Sequence, residues 1–292
     1  MNESTFGGKR GGRPSGEAPP LATAPRRAAE HRDGNPALLT VRDLTVHFRT
    51  RSTQIDALRH VDLTLRRGEF VSMVGPSGCG KSTLLRVVAG LHTDHSGEVL
   101  LDERIRQRSL GFVFQRDSLL PWRTVLANVA TGLELRGVDK KERTERARFW
   151  TNRVGLGGFE DAYPSQLSGG MRQRASIARS LIYDPELILM DEPFGALDAQ
   201  VKGQLQEMFL SIWEEMRPSV IFVTHDLAES IYLAERVVVL SGRPGTVKTE
   251  VPVDLPRPRT SPFEIWRDQH YLSLYARLWN NLKPEIEEGT SP

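Results

Sequence analysis

From Leu38 the chain alternates apolar and polar side chains, in LLTVRDLTVHF and again in ALRHVDLTLRRGEF, with the two-residue period of strands covered on one face. This predicts an antiparallel β-layer. The pattern then changes to short unbroken apolar runs, FVSMV, LILM and VIFV, as expected of central parallel strands covered on both faces. Between them Val201, Leu205, Met208, Phe209, Ile212, Trp213 and Met216 recur at three- and four-residue spacing, which predicts an amphipathic helix. Strands alternating with helices give an α/β fold with a parallel core sheet.

Residues 117–161 carry charged helical sequence, notably DKKERTERARFWTNRV, and no strong strand, so a mostly helical insertion is predicted there. Near the C-terminus Tyr271, Leu274, Tyr275, Leu278 and Leu282 share one face of a helix predicted over Pro262–Leu282. That face either covers its own domain or docks a partner. Residues 1–36, rich in Gly, Pro, Ala and Arg, offer too little apolar surface to offset ordering entropy and read as a disordered tail. The expected organisation is therefore this tail, a domain over 37–260 with a helical subdomain at about 116–180, and a C-terminal helical extension over 261–292.

Composition narrows the class. The formal net charge is +2, and the first 36 residues hold six basic and four acidic side chains, which leaves 33 of each sign in the rest. A nucleic-acid binder would show a clustered basic excess, so no nucleic-acid partner is expected. No apolar run approaches membrane-spanning length and no charged-then-apolar leader opens the sequence, so neither a span nor a secretory signal is expected. The one cysteine, Cys79, excludes an internal disulfide.

The candidate chemistry begins at GPSGCGKST, which runs from Gly75 through Pro76, Ser77, Gly78, Cys79, Gly80, Lys81 and Ser82 to Thr83 between two apolar runs. Glycines let successive N–H groups turn inward around a polyanion, and a helix starting near Lys81 adds its own unpaired N–H groups. Gly-x-x-x-x-Gly-Lys-Ser is the P-loop (Walker A) pattern: Lys81 would reach the β- and γ-phosphates of a nucleoside triphosphate and the Ser82 hydroxyl would take a Mg²⁺ position. Cys79 lies near the helix N-terminus, where a thiolate could be stabilised. In LILMDEP, Asp191 is placed to hold Mg²⁺ through its water shell, and Glu192 to orient and deprotonate the attacking water. In VIFVTHD, His225 closes the next strand, placed to contact the γ-phosphate. In LSGGMRQR, Ser168 is a natural N-cap and Gly169 and Gly170 expose N–H groups at a second helix start.

Together these segments resemble the ATP-binding cassette (ABC) family, in its motif order from Leu38 to about Arg259. The resemblance implies a nucleotide-binding domain with a helical signature subdomain and an ATPase that uses ATP and Mg²⁺. It implies a head-to-tail homodimer in which Ser168, Gly169, Gly170, Met171 and Gln173 of one copy close over the triphosphate of the other. Phe48 matches the ring that stacks on adenine, although tyrosine is commoner there. Gln115, in FVFQ, matches the glutamine that joins the metal and water shell to the partner-facing loop, and Asp198, in ALD, the dimer-contacting aspartate. A lone nucleotide domain resembles the motor subunit of a transporter, peripheral on the cytoplasmic face of the membrane, with a separate permease and, through the assembled complex, a solute-binding protein.

LLPWRTVLANVATGLELRG and LSGRPGTVKTEVPVDLPRPR resemble the importer subfamily for nitrate, sulfonates such as taurine, and related small solutes. The same site could instead serve an exporter motor or a soluble cassette ATPase acting on nucleic acid or ribosomes. RDSLLPW, Arg116–Trp122, follows Gln115 directly, and its Leu119, Leu120, Pro121 and Trp122 either dock the permease or pack within the helical insertion.

Overall fold

The computed structural model describes residues 36–49, 54–103, 105 and 110–289, so the predicted tail up to residue 35 lies outside the described residues. Strands β1 (Ala37–Arg49) and β2 (Gln54–Arg66) pair antiparallel, and β4 (Ser96–Leu101) joins the other edge of β1. This is the predicted antiparallel layer. A second sheet runs β5-β6-β7-β3-β8-β9, built from β3 (Phe70–Val74), β5 (Leu110–Val113), β6 (Leu187–Asp191), β7 (Ser219–Val223), β8 (Arg236–Leu240) and β9 (Val247–Pro252). Its strands are parallel except for the antiparallel β8–β9 pair.

Every residue of β3, β6 and β7 is buried, because each face of the sheet has its own core. Alternate side chains point to opposite faces. On one face Val71, Met73, Leu189, Ile221 and Val238 meet the antiparallel layer and Leu84, Leu85 and Val88 of helix α1 (Lys81–Val88). On the other, Phe70, Ile188, Met190, Val220 and Phe222 meet the remaining helices.

Those helices are α2 (Val125–Leu135), α3 (Lys140–Arg153), α4 (Gly169–Leu181), α5 (Ala199–Met216), α6 (Leu227–Leu233) and α7 (Gln269–Gly289). The first two form the predicted insertion and bury Val129, Leu133, Ala147 and Trp150 against α4. Thr124 and Asp139 cap α2 and α3 by accepting from backbone N–H groups, as short polar side chains do at helix starts. At the end of α5, Trp213 lies between the guanidiniums of Arg217 and Arg257, 4.3 and 4.4 Å from its ring centre.

The C-terminal helix starts later than the apolar spacing predicts. Asp268 stops the preceding chain and caps α7 by accepting from the N–H groups of His270 and Tyr271 at 2.7 and 3.0 Å. Tyr271, Leu274, Leu278 and Leu282 are buried in the domain's own core beside α6 and β8, and Tyr275 packs against it partly buried. The face covers its own domain.

Candidate active site

The phosphate loop follows β3, whose carboxyl end opens a crevice between the two sheets, the place where ligands bind in parallel folds. Gly80 closes the loop at φ +102°, and a Cβ there would come within 2.5 Å of the Leu58 side chain and 2.7 Å of the Ala57 carbonyl. Only glycine fits. Helix α1 then begins at Lys81 with no side-chain cap and no acid in its first turn, which leaves its leading N–H groups and positive dipole end for an anion. Lys81 is buried. Its ammonium donates to the carbonyls of Gly75 and Pro76 at 2.7 and 2.9 Å, which are neutral partners.

Cys79 departs from expectation. The thiol is 1% exposed, and burial pushes its pKa up, against the opposing pull of the Lys81 charge. Burial thus works against the stabilised thiolate that the helix start suggests.

At the end of β6, Ser82 Oγ donates to Asp191 Oδ1 at 2.7 Å, joining the loop hydroxyl to the strand carboxylate. Burial raises the Asp191 pKa, opposed by that bond and reinforced by the nearby Glu192 charge. Glu192 has φ +44°, a left-handed conformation that costs a non-glycine residue of order 1 kcal/mol or more and that collects at functional sites. It is held there by its own N–H donating to the Val223 carbonyl at 2.9 Å. The Gln115 amide lies 3.4 Å and His225 Nδ1 3.1 Å from the same oxygen, Glu192 Oε2, while Oε1 bonds to no described residue.

The sequence reading missed what stands behind His225. Thr224 donates to Glu229 at 2.5 Å, and Lys202 of α5 reaches both Asp226 and Glu229 at 2.6 Å. Asp226 also caps α6. Burial raises the Glu229 pKa despite the adjoining Lys202 cation; at Asp226 burial also pulls upward, but Lys202 and the N–H groups of Ala228 and Glu229 together lower the pKa. The Asp226-x-x-Glu229 spacing is legible as a helix start, whereas Lys202 comes from another helix.

The cleft has a volume of about 550 Å³. Phe48, Ile55 and Ala57 form an apolar wall; Ser77, Gly78, Gly80, Lys81, Ser82 and Thr83 form a polar floor; Gln115, Glu192 and Arg243 complete the rim. Phe48 is 41% exposed, its ring 5.2 Å from that of His92 and open to a planar ligand. An apolar slot beside a cationic loop fits a nucleoside triphosphate. Hydroxyl, carboxylate and amide oxygens fit a hard cation that completes its shell with phosphate and water, as Mg²⁺ does. The described residues contain no cluster of three or more His, Cys, Asp or Glu that would instead suit a fully caged metal.

The second group of predicted residues lies outside this cleft. Ser168 caps α4 by accepting from Met171 N–H at 3.3 Å, with Gly169 exposed and Gly170 buried in the first turn. Gln173 is 4% exposed and its amide nitrogen is buried without a bond, so its side chain faces the interior rather than a partner surface. Asp198 caps α5, accepting from Val201 N–H at 3.0 Å.

Fold and cleft define a P-loop nucleotide-binding protein, and the sequence comparisons narrow that class. The ABC transporter profile matches residues 58–195. The chain is 48% identical over 258 residues to an uncharacterized ABC transporter ATP-binding protein of Methanocaldococcus jannaschii, covering 87% of this chain and 95% of that one. It is 44% identical over 259 residues to a nitrate import ATP-binding protein of Synechocystis sp., with coverages of 86% and 97%. It is 42% identical over 233 residues to an aliphatic sulfonates import ATP-binding protein of Bacillus cereus, with coverages of 79% and 92%. The dimeric structure of a post-hydrolysis ATP-binding cassette with ADP and Pi superposes with a TM-score of 0.67 at 33% identity, covering 75% of this chain and all of that one. The chain belongs to the ABC transporter family. It is an ATP-binding, ATP-hydrolysing cassette, with Mg²⁺ the ion general to such ATPases.

Proposed function

We propose that the chain is the ATP-hydrolysing subunit of an importer for small oxyanionic solutes, nitrate or sulfonates such as taurine, as in the relatives named above. The observation that carries the reading is that Lys81, Ser82, Gln115 and Glu192 line one cleft, with Asp191 bonded to Ser82 and His225 to Glu192 behind them. Gly75–Thr83 hold the triphosphate, with Lys81 turning from backbone carbonyls to the β- and γ-phosphates, and Phe48 stacks on adenine. Ser82, Asp191 and Gln115 hold Mg²⁺, which when bound neutralises developing phosphate charge.

Glu192 takes the proton of the attacking water. Its Oε2 is engaged by Gln115 and His225, which fix the carboxylate plane and leave Oε1 as the base. The His225 ring, donating through Nδ1, keeps Nε2 for the γ-phosphate side.

The Ser168–Met171 helix start is not among the residues that line the chain's own cleft, and it serves the cleft of a second copy in a head-to-tail dimer, with Asp198 at the contact. Gln173 supports that helix from inside. Among the described residues no helix is long and apolar enough to cross a membrane, which supports peripheral attachment through a separate permease at the cytoplasmic face. A solute-binding protein would reach this chain only through that complex. The test is purification from detergent-solubilised membranes, followed by ATPase assay of the reconstituted complex. Recovery of a multispanning permease whose ATPase is stimulated by nitrate or a sulfonate supports the reading; recovery of ribosomes or nucleic acid overturns it.

A further inference from the structure

The turn between β8 and β9, Ser241–Thr246, reads in the sequence only as a mark of lineage, yet it lies on the phosphate loop. Gly245 donates to the Ala57 carbonyl and accepts from Arg59 N–H, both at 3.0 Å, and so pairs in parallel with β2 at Leu58. A Cβ at Gly245 would lie 2.0 Å from the Cys79 carbonyl, so the two backbones touch and only glycine permits it. Arg243 donates from Nε and Nη2 to the Gly78 carbonyl at 3.2 and 3.0 Å, and among the described residues no carboxylate pairs with it. The N–H of the same peptide unit, that of Cys79, donates to the Pro76 carbonyl at 3.3 Å. The middle of the loop is thus held at both ends of one peptide plane.

The far side of the turn is tied to the C-terminal helix. Glu285 of α7 accepts from Gly242 N–H at 2.8 Å and pairs with Lys248 Nζ at 2.6 Å, while Lys248 also reaches the Asn281 carbonyl at 3.0 Å. The Lys248 bond, with that of Gly242, holds the Glu285 carboxyl below its usual range, so it is ionised at neutral pH. Ser241 Oγ accepts from Thr246 N–H at 2.9 Å and closes the turn on itself. A continuous chain of contacts therefore runs from α7 through a closed turn to Gly78.

We propose that Arg243 is a positioning residue for nucleotide binding, and that Glu285 holds it in place so that the C-terminal helix sets the affinity of the cleft for ATP. A loop already ordered need not be ordered by its ligand, and that saved entropy appears as affinity. The inference rests on the proposed nucleotide site, because it concerns the preorganisation of that loop.

The test uses the purified full chain with Mg-ATP, in wild type, Arg243→Met, Arg243→Lys, Glu285→Gln and the double variant Arg243→Met with Glu285→Gln. ATP affinity, kcat, Tm and the alkylation rate of Cys79 without nucleotide are measured on each. Loss of the two charged hydrogen bonds to one carbonyl at an exposed rim should weaken ATP binding by roughly three- to tenfold in Arg243→Met, with kcat at saturation within about twofold of wild type. Glu285→Gln should act in the same direction, and the double variant should fall short of the product of the two effects, the mark of residues acting in series. Arg243→Met and Glu285→Gln should each speed Cys79 alkylation as the loop loosens, and Arg243→Lys should restore part of the affinity. Unchanged affinity in Arg243→Met, full multiplication in the double variant, or a loss matched by a general fall in Tm with no faster alkylation overturns the proposal. Failure of the wild-type chain to bind ATP would instead overturn the nucleotide-site reading.

Discussion

His225 Nδ1 lies 3.1 Å from Glu192 Oε2, so the side chain that closes β7 meets the one that closes β6 across the mouth of the cleft. The pair exists because both strands end at the same level in the parallel sheet, with Asp191 opposite Val223.

Removing the base while keeping its shape separates binding from chemistry. Glu192→Gln should retain ATP and lose hydrolysis by about 10²–10⁴-fold, the usual contribution of a positioned general base. The ATP-bound form should then accumulate as dimers, visible by gel filtration with Mg-ATP. Unchanged turnover would remove Glu192 from this role.

Lys81→Met should weaken ATP binding strongly, because the only buried cation in the loop is lost. The Gly75 and Pro76 carbonyls would also lose their donor, at a cost of roughly 1–3 kcal/mol each if left dry, so a moderate fall in Tm is expected too. Titration calorimetry beside thermal unfolding separates the two effects. ATP affinity equal to wild type would exclude Lys81 as the phosphate ligand.

Much of the fold and the cleft is legible in the sequence. The runs at β3, β6 and β7 are apolar throughout because both faces are covered, and GPSGCGKST specifies its own turn through glycine and its own helix through the residues after it. What stayed hidden depends on contacts between distant segments. Nothing in SGRPGT says that Gly245 will touch Cys79, and nothing near Lys202 announces Glu229. The predicted last helix also starts too early, since Ile265–Arg267 form a short 3₁₀ turn that Asp268 ends before α7 begins. Gln173 shares its segment with exposed neighbours but points inward, a matter of helical phase.

The cluster behind His225 gives a prediction about pH. Glu229 is 3% exposed, and removing Lys202 leaves its carboxylate without its cation, which should cost about 3 kcal/mol at neutral pH. Burial already raises the Glu229 pKa above the ordinary 4.5, so the folded protein holds that proton more tightly than the unfolded chain. Stability from this group is complete below 4.5 and declines as pH rises through the raised value. Without Lys202 the value rises further, so the Tm deficit of Lys202→Met should be small near the ordinary carboxylate range and widen toward neutrality. Adding Glu229→Gln should recover much of it. A deficit independent of pH would mean that lost packing, not the unpaired charge, is responsible.

The segment after Gln115 divides into two parts with different expected outcomes. Leu119 is 8% exposed within the core of the helical insertion, whereas Trp122 is 72% exposed. Asn128 fixes the bend between them, accepting from Leu120 N–H at 2.7 Å and donating to the Leu120 and Arg123 carbonyls at 3.1 and 3.0 Å. The residue expected to face the permease is thus Trp122, held out on a braced turn, while Leu119 is structural. Leu119→Ala should cost roughly 2–5 kcal/mol, the range for truncating a buried leucine, and should lower Tm whether or not a permease is present. Trp122→Ala should leave Tm and ATP affinity unchanged and reduce recovery of the permease and transport, because an exposed aromatic contributes its burial only when a partner covers it. Undiminished permease recovery and transport in Trp122→Ala would defeat the docking role, and a fall in Tm there as large as that of Leu119→Ala would assign the whole segment to internal packing.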